Sequence, residues 1–136
     1  MASVVPKNNV GAITLFIEDP PRSKTFYANV FDVAPIYEDD DAVAFRFDNL
    51  IVNLLAVRAA PELVAPAPVA EPGAEAQFQL TIWVDDVDRV AAELDARGVP
   101  LLNGPVDREW GVRTVSFTDP DGHIWEVAHD LPATDG

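Results

Sequence analysis

Cysteine is absent from all 136 residues, which removes disulfides, thiol nucleophiles and thiolate metal sites together. Histidine is nearly absent too: His123 and His129 are the only two. With so few bases, Ser23 and Ser116 have no visible activating partner, and nucleophilic catalysis has almost no candidate. Basic residues are scarce, 9 Lys and Arg against 23 Asp and Glu, for a formal net charge of -14. No basic cluster able to neutralise phosphates is present, which argues against a nucleic-acid partner, and an anionic membrane would repel the chain. No apolar run approaches the ~20 residues needed to cross a bilayer. Residues 1–10 hold one lysine and no apolar stretch of signal-peptide type, so a cytoplasmic location is the expectation. The acidity itself reads two ways: a surface kept soluble, or a field that attracts a cationic ligand.

What is present is an ordinary globular composition, 49% hydrophobic and 24% charged, enough for one domain or two fused half-size modules. An internal repeat favours the second. Ile13-Thr14-Leu15-Phe16-Ile17-Glu18-Asp19, followed by a helical pattern, returns as Leu80-Thr81-Ile82-Trp83-Val84-Asp85-Asp86, followed by another. In the first copy, alternation predicts a strand over 11–17 with Ile13, Leu15 and Ile17 on one face and Ala12, Thr14 and Phe16 on the other. Asp19 is placed to cap a helix begun by Pro20 or Pro21, whose stripe is Phe26, Tyr27 and Val30. Strands fit at 33–37, 42–48 and 50–56, with a solvated acidic turn at 38–41 and a hairpin at Asp48 and Asn49.

The stretch 57–77, rich in proline and alanine, reads as a linker too interrupted for a helix or a central strand. The second copy predicts a strand at 78–84, a helix at 86–97 with Val87, Val90, Ala91 and Leu94 buried, and Gly98 ending it. Strands follow near 99–103, 112–118 and 123–129, the last two joined by Asp119-Pro120-Asp121-Gly122, and the tail from Leu131 is polar. The organisation is one unit of two β-α-β-β-β modules, 10–56 and 78–130. The fold class expected is α+β, with two tandem modules forming curved mixed sheets around a cleft.

The spacing Leu15-x-Ile17-x-Asp19-x3-Ser23-x2-Phe26-Tyr27, with Asp119-Pro120-Asp121-Gly122-His123-x-Trp125-Glu126, resembles the vicinal-oxygen-chelate superfamily over roughly 10–130. That group holds glyoxalase I, extradiol dioxygenases, fosfomycin-resistance enzymes and bleomycin-resistance proteins. Its metal-dependent members draw ligands from the start of each module's first strand and from its last strand, positions matched here by Ala12, Asn53, Gln79 and Glu126. A methyl, two neutral amides and one carboxylate are a poor set for zinc, iron or nickel. No metal, no other cofactor and no catalytic residue is therefore expected. Trp83, Trp110-Gly111-x-Arg113 and the acids at 38–41 look more like the bleomycin-resistance branch. That likeness implies a homodimer that sequesters a planar, cationic drug at its interface without turnover.

The candidate ligand-binding set is Phe16, Arg46, Asn53, Gln79, Trp83, Trp110, Arg113 and Glu126. Trp83 and Phe16 either stack on a planar ligand or pack a dimer interface. Trp110 either meets a ligand or folds as a lid onto its own module. Arg113 either receives an anionic or carbonyl group or pairs with one of the many acids. Glu126 should face opposite Trp125, where it pairs with Arg46, Arg113 or a cationic ligand, or else serves as a base. Gln79 and Asn53 suit positioning of a polar group, not proton abstraction. The two histidines fall on the Trp125 face, in exposed or helix-contacting roles. The function expected is a non-catalytic small-molecule binder, plausibly of an aromatic or cationic antibiotic. The alternative is a glyoxalase- or dioxygenase-like enzyme with a weak divalent site using Glu126.

Overall fold

The structure is a computed structural model that describes residue 4 and residues 8–133. Residues 1–3, 5–7 and 134–136, which hold much of the stretch read for targeting and the end of the polar tail, lie outside the described residues.

Alternation and capping build the first module as expected: β1 (Ala12–Ile17), α1 (Pro20–Phe31), β2 (Pro35–Glu38), β3 (Ala42–Arg46) and β4 (Ile51–Ala56). The Asp19 carboxylate accepts the Arg22 N–H at the start of α1, and prolines occupy the first turn, where their missing N–H groups cost nothing. The second module repeats the order with β5 (Gln79–Trp83), α3 (Val87–Ala96), β6 (Leu101–Asp107), β7 (Val112–Thr118) and β8 (Ile124–Asp130). Asp86 caps α3 through the Arg89 N–H. Between the modules, Pro61–Val64 forms a single helical turn, α2. The expectation of no helix there is corrected. Proline at a first helical position is compatible with a turn of this length.

The two sheets are duplicates. Their strand orders are β1-β4-β3-β2 and β5-β8-β7-β6, each with one parallel pair, β1 with β4 and β5 with β8, and two antiparallel pairs. The α+β class and the repeated mixed-sheet modules hold. The curved sheets around a cleft do not: each sheet is open, with β1 and β2 or β5 and β6 at its edges, and neither curls nor closes. The reason lies in how the apolar faces are covered. Leu15, Ile17, Val43, Phe45, Val52 and Leu54 of the first sheet share one core with Val115, Phe117, Trp125 and Val127 of the second. Helix α1 is wedged between them, with the Tyr27 ring 5.9 Å from Phe45 on one side and 5.9 Å from Trp125 on the other. Each buried Leu, Ile, Val or Phe contributes about 1.5–3 kcal/mol by leaving water. Since both inner faces point at this core, the two outer faces look away from each other.

Hydrogen bonds fasten the modules where the sequence motifs are strongest. The Asp119 carboxylate accepts the Tyr27 hydroxyl at 2.8 Å, the His123 ring Nδ1 at 2.7 Å, and the backbone N–H groups of Asp121 and His123. A carboxylate only accepts, so His123 carries its proton on Nδ1. Asp121 accepts from the Glu18 N–H, Arg22 and Ser23, and Trp125 Nε1 donates to the Tyr27 hydroxyl. Nearly every polar member of the family-like motifs is spent on this clasp.

Strand β6 departs from the expected 99–103 by running on to Asp107 with two irregularities in its pairing to β7. Gly104 permits one of them. Its φ is +85°, and a Cβ there would lie 2.4 Å from the Thr114 carbonyl oxygen. Gly104→Ala is therefore expected to cost about 2 kcal/mol through strain and displaced backbone. A urea midpoint lowered at unchanged slope would show it; an unchanged midpoint would mean β6 yields freely.

Candidate functional site

Strand register assembles the outer face of the second sheet row by row. Thr81 pairs with Glu126, Glu126 with Ser116 and Ser116 with Asn103, so one polar row crosses all four strands. The next row runs Trp83, Ala128, Thr114 and Val106. Ala128 leaves a low floor between the Trp83 indole on the edge strand and whatever rises from Thr114. What rises is Arg108: its Nε donates to Thr114 Oγ1 at 3.0 Å and its Nη2 to Asn103 Oδ1 at 3.1 Å. The guanidinium carbon lies 5.9 Å from the centroid of Trp110, a residue of the β6–β7 turn. Trp83 is 63% exposed and Trp110 71%, so both indoles are open to water, while Ala128, Thr114 and Ser116 between them are buried.

Glu126 faces outward, opposite the buried Trp125, and one of its oxygens accepts the Thr81 hydroxyl at 3.1 Å. The first sheet has the same construction with weaker groups. Thr14, Asn53, Ala44 and Tyr37 form the corresponding row, and the Asn53 amide donates to Thr14 at 3.4 Å. Arg46 lies on that face beside Ile51, and Phe16 in the row of Leu55 and Ala42. Phe16 also lines a hollow of about 740 Å³ between β1, the linker at 68–78 and residues 121–123.

The predicted residues thus divide. Gln79, Trp83 and Glu126 share the second sheet's outer face, with Trp110 at its margin; Phe16, Arg46 and Asn53 share the first's. Arg113 joins neither group. It points to the helix side, where Asp88 at 2.9 Å and Asp107 at 2.8 Å hold it. Their hydrogen bonds push its pKa up, Asp88 foremost, and hold Asp88 below the usual carboxylate range. His129 is likewise occupied, its Nδ1 accepting the Val87 N–H at 2.9 Å at the start of α3.

Sequence reasoning missed Arg108, Asn103, Thr114 and Ser116. Ser116 was within reach, because the turn at 119–122 sets it opposite Glu126. Arg108 was not, because its position depends on the irregular course of β6.

The positions that hold metal in catalytic relatives do not fit one here. Ala12 and Asn53 lie on one outer face, Gln79 and Glu126 on the opposite one. Their donors amount to two amides and a carboxylate already bonded to Thr81. Among the described residues, no three of His, Cys, Asp and Glu are grouped to take an ion.

Comparison with known proteins agrees with this architecture. The profile of the Glyoxalase/Bleomycin resistance protein/Dioxygenase superfamily matches residues 9–127. The chain is 30% identical over 119 residues to the Bacillus subtilis (strain 168) protein YraH, covering 85% of this chain and 93% of that one. A glyoxalase/bleomycin resistance protein/dioxygenase from Nocardioides superposes with a TM-score of 0.82 at 22% identity, over 98% of this chain and 93% of its own. A glyoxalase-related enzyme from Fulvimarina pelagi gives 0.78 at 28% identity, over 91% and 89%. The chain belongs to the Glyoxalase/Bleomycin resistance protein/Dioxygenase superfamily.

Proposed function

We propose that this chain is a non-catalytic small-molecule binding protein that holds a planar aromatic ligand on the outer face of its second sheet. The observation that carries the reading is the pair of exposed indoles, Trp83 and Trp110, on the sheet face that also bears Glu126. Aromatic faces turned to water favour stacking, and a carboxylate beside them selects a ligand bearing a cation or a hydrogen-bond donor. The net charge of -14 draws cations toward the chain at low salt. Cationic aromatic antibiotics fit this description.

Chemistry beyond binding has few residues to perform it. His123 is bonded to Asp119, His129 to the start of α3 and Ser23 to Asp121. On the outer face of β8, Glu126 and Asp130, either side of Ala128, are the carboxylates able to act as an acid or base.

A cytoplasmic homodimer is part of this reading. A second copy laid over the open face would cover the exposed indoles and remove the ligand from water. No helix among the described residues is long and apolar enough to cross a membrane.

Calorimetry against a panel of cationic glycopeptides and planar intercalating drugs tests the proposal, with sedimentation on the same samples to read the dimer. Binding tighter than millimolar is expected, with Trp83→Ala and Trp110→Ala each weakening it about tenfold. If the folded protein binds none of the panel that tightly, the reading fails.

A further inference from the structure

The chain has 23 acids to 9 bases, yet Arg108 makes no ion pair among the described residues. Its side-chain hydrogen-bond partners are neutral. Thr114 takes the Nε hydrogen and Asn103 one Nη2 hydrogen, while Trp110 lies beside the plane. A guanidinium has five N–H donors. The two already engaged lie on its Nε side, so the parallel pair at the tip, one from each Nη nitrogen, is left over. That pair matches the two oxygens of a carboxylate.

Glu126 stands on the same face without meeting this cation. It pairs directly with Ser116, two residues along β7 from Thr114, so Thr114 is its diagonal neighbour at about 7 Å. Thr81 holds Glu126 from the β5 side, and Thr114 with Asn103 holds Arg108 from the β6 side. Opposite charges thus stand on one sheet face without meeting, with the exposed Trp83 and Trp110 indoles at its margins.

We infer that the second-sheet face reads a bipolar aromatic ligand, with a carboxylate on the free fork of Arg108 and an ammonium or other donor at Glu126. The inference rests on the binding reading above and adds an anion to it. A ligand of this kind satisfies both fixed charges at once, whereas a purely cationic ligand leaves Arg108 unanswered.

The test uses the full chain and four rigid probes: 6-(aminomethyl)-2-naphthoate, its primary amide, its phosphonate analogue and 2-naphthylmethylammonium. Binding is followed by NMR at the indole N–H signals of Trp83 and Trp110, with buried Trp125 as internal reference. The carboxylate is expected to bind about tenfold tighter than the amide, the worth of one charge-assisted hydrogen-bonded pair. Arg108→Gln should bring the two within about twofold, while Glu126→Gln weakens both and keeps their ratio. Loss of the Asn103 and Thr114 bonds alone would lower thermal stability without altering that ratio, so a merely structural Arg108 gives a different result. Equal binding of acid and amide to the parent protein, a preference that survives Arg108→Gln, or a strong preference for the phosphonate overturns the inference. If amide and ammonium probes still bind, the aromatic-binding reading stands without it. If no probe shifts either indole, both fall together.

Discussion

Asp119→Ala should destabilise the fold by about 4 kcal/mol and lower the melting temperature by roughly 15 °C. The side chain is fully buried and accepts four hydrogen bonds, from Tyr27, the His123 ring and the backbone N–H groups of Asp121 and His123. Alanine leaves those donors without partners where water does not reach the Tyr27 hydroxyl. Each buried unsatisfied group costs about 1–3 kcal/mol, and the turn can relax to recover only some of them. The informative control is Glu126→Ala. Glu126 lies seven positions further along, but its outward carboxylate has one side-chain partner, and its removal should stay within about 0.5 kcal/mol. Urea denaturation of both variants, with ligand binding measured in parallel, separates the roles. Asp119→Ala loses stability and Glu126→Ala loses recognition. A melting temperature within a few degrees of the parent for Asp119→Ala would mean the clasp does not hold the modules.

That contrast also explains what could be read in the sequence. The duplicated strand-helix pattern, the Asp19 and Asp86 caps, and the opposite orientation of Trp125 and Glu126 all follow from local periodicity, and local periodicity survives folding. The marks that best identify the family had another purpose. Ser23, Tyr27, Asp119, Asp121 and Trp125 bond across separations of 92 to 98 residues, and no alternation or spacing rule reveals such partners. Curved sheets around a cleft were wrong for a related reason. Each sheet's apolar face was legible, but not that both would close on one core with α1 between them, sending Asn53 and Glu126 to opposite sides. Arg113 takes the second of its two readings, the pairing with acids, because strand alternation places it on the helix face with Asp88 and Asp107. Arg108 escaped because β6 is irregular between Asn103 and Val106, and irregular strands break the parity on which face assignment depends.

Alkaline pH gives the second large effect, and it arises in the same clasp. Burial, then the charge and hydrogen bond of Asp119, push the Tyr27 phenol far above its ordinary range. An unfolded tyrosine ionises near pH 10, whereas native Tyr27 keeps its proton. Above that pH the unfolded chain binds fewer protons than the folded one, so stability must fall as pH rises, by about 1.4 kcal/mol per pH unit. The contribution is fully present below pH 10 and is lost progressively above it. The chain has two tyrosines, and the other, Tyr37, is exposed and bonded to Asp39, which also raises it. Comparison with Tyr27→Phe isolates the buried group, since Tyr37 is common to both proteins. At pH 8 the phenylalanine variant should be less stable by about 2 kcal/mol, having lost the bonds to Asp119 and Trp125. By about pH 11.5 the two curves should meet, because only the parent must keep a phenol protonated. Urea midpoints from pH 8 to 11.5 measure this directly, and parallel curves would show that Tyr27 ionises freely in the native state. The consequence for binding follows from Trp125, which donates to the Tyr27 hydroxyl and precedes Glu126 on β8. A strand tied down on its inner face by that bond holds its outer carboxylate in fixed register with Thr81 and Ser116. Where alkaline pH opens the clasp, recognition on the far side of the sheet should weaken with it.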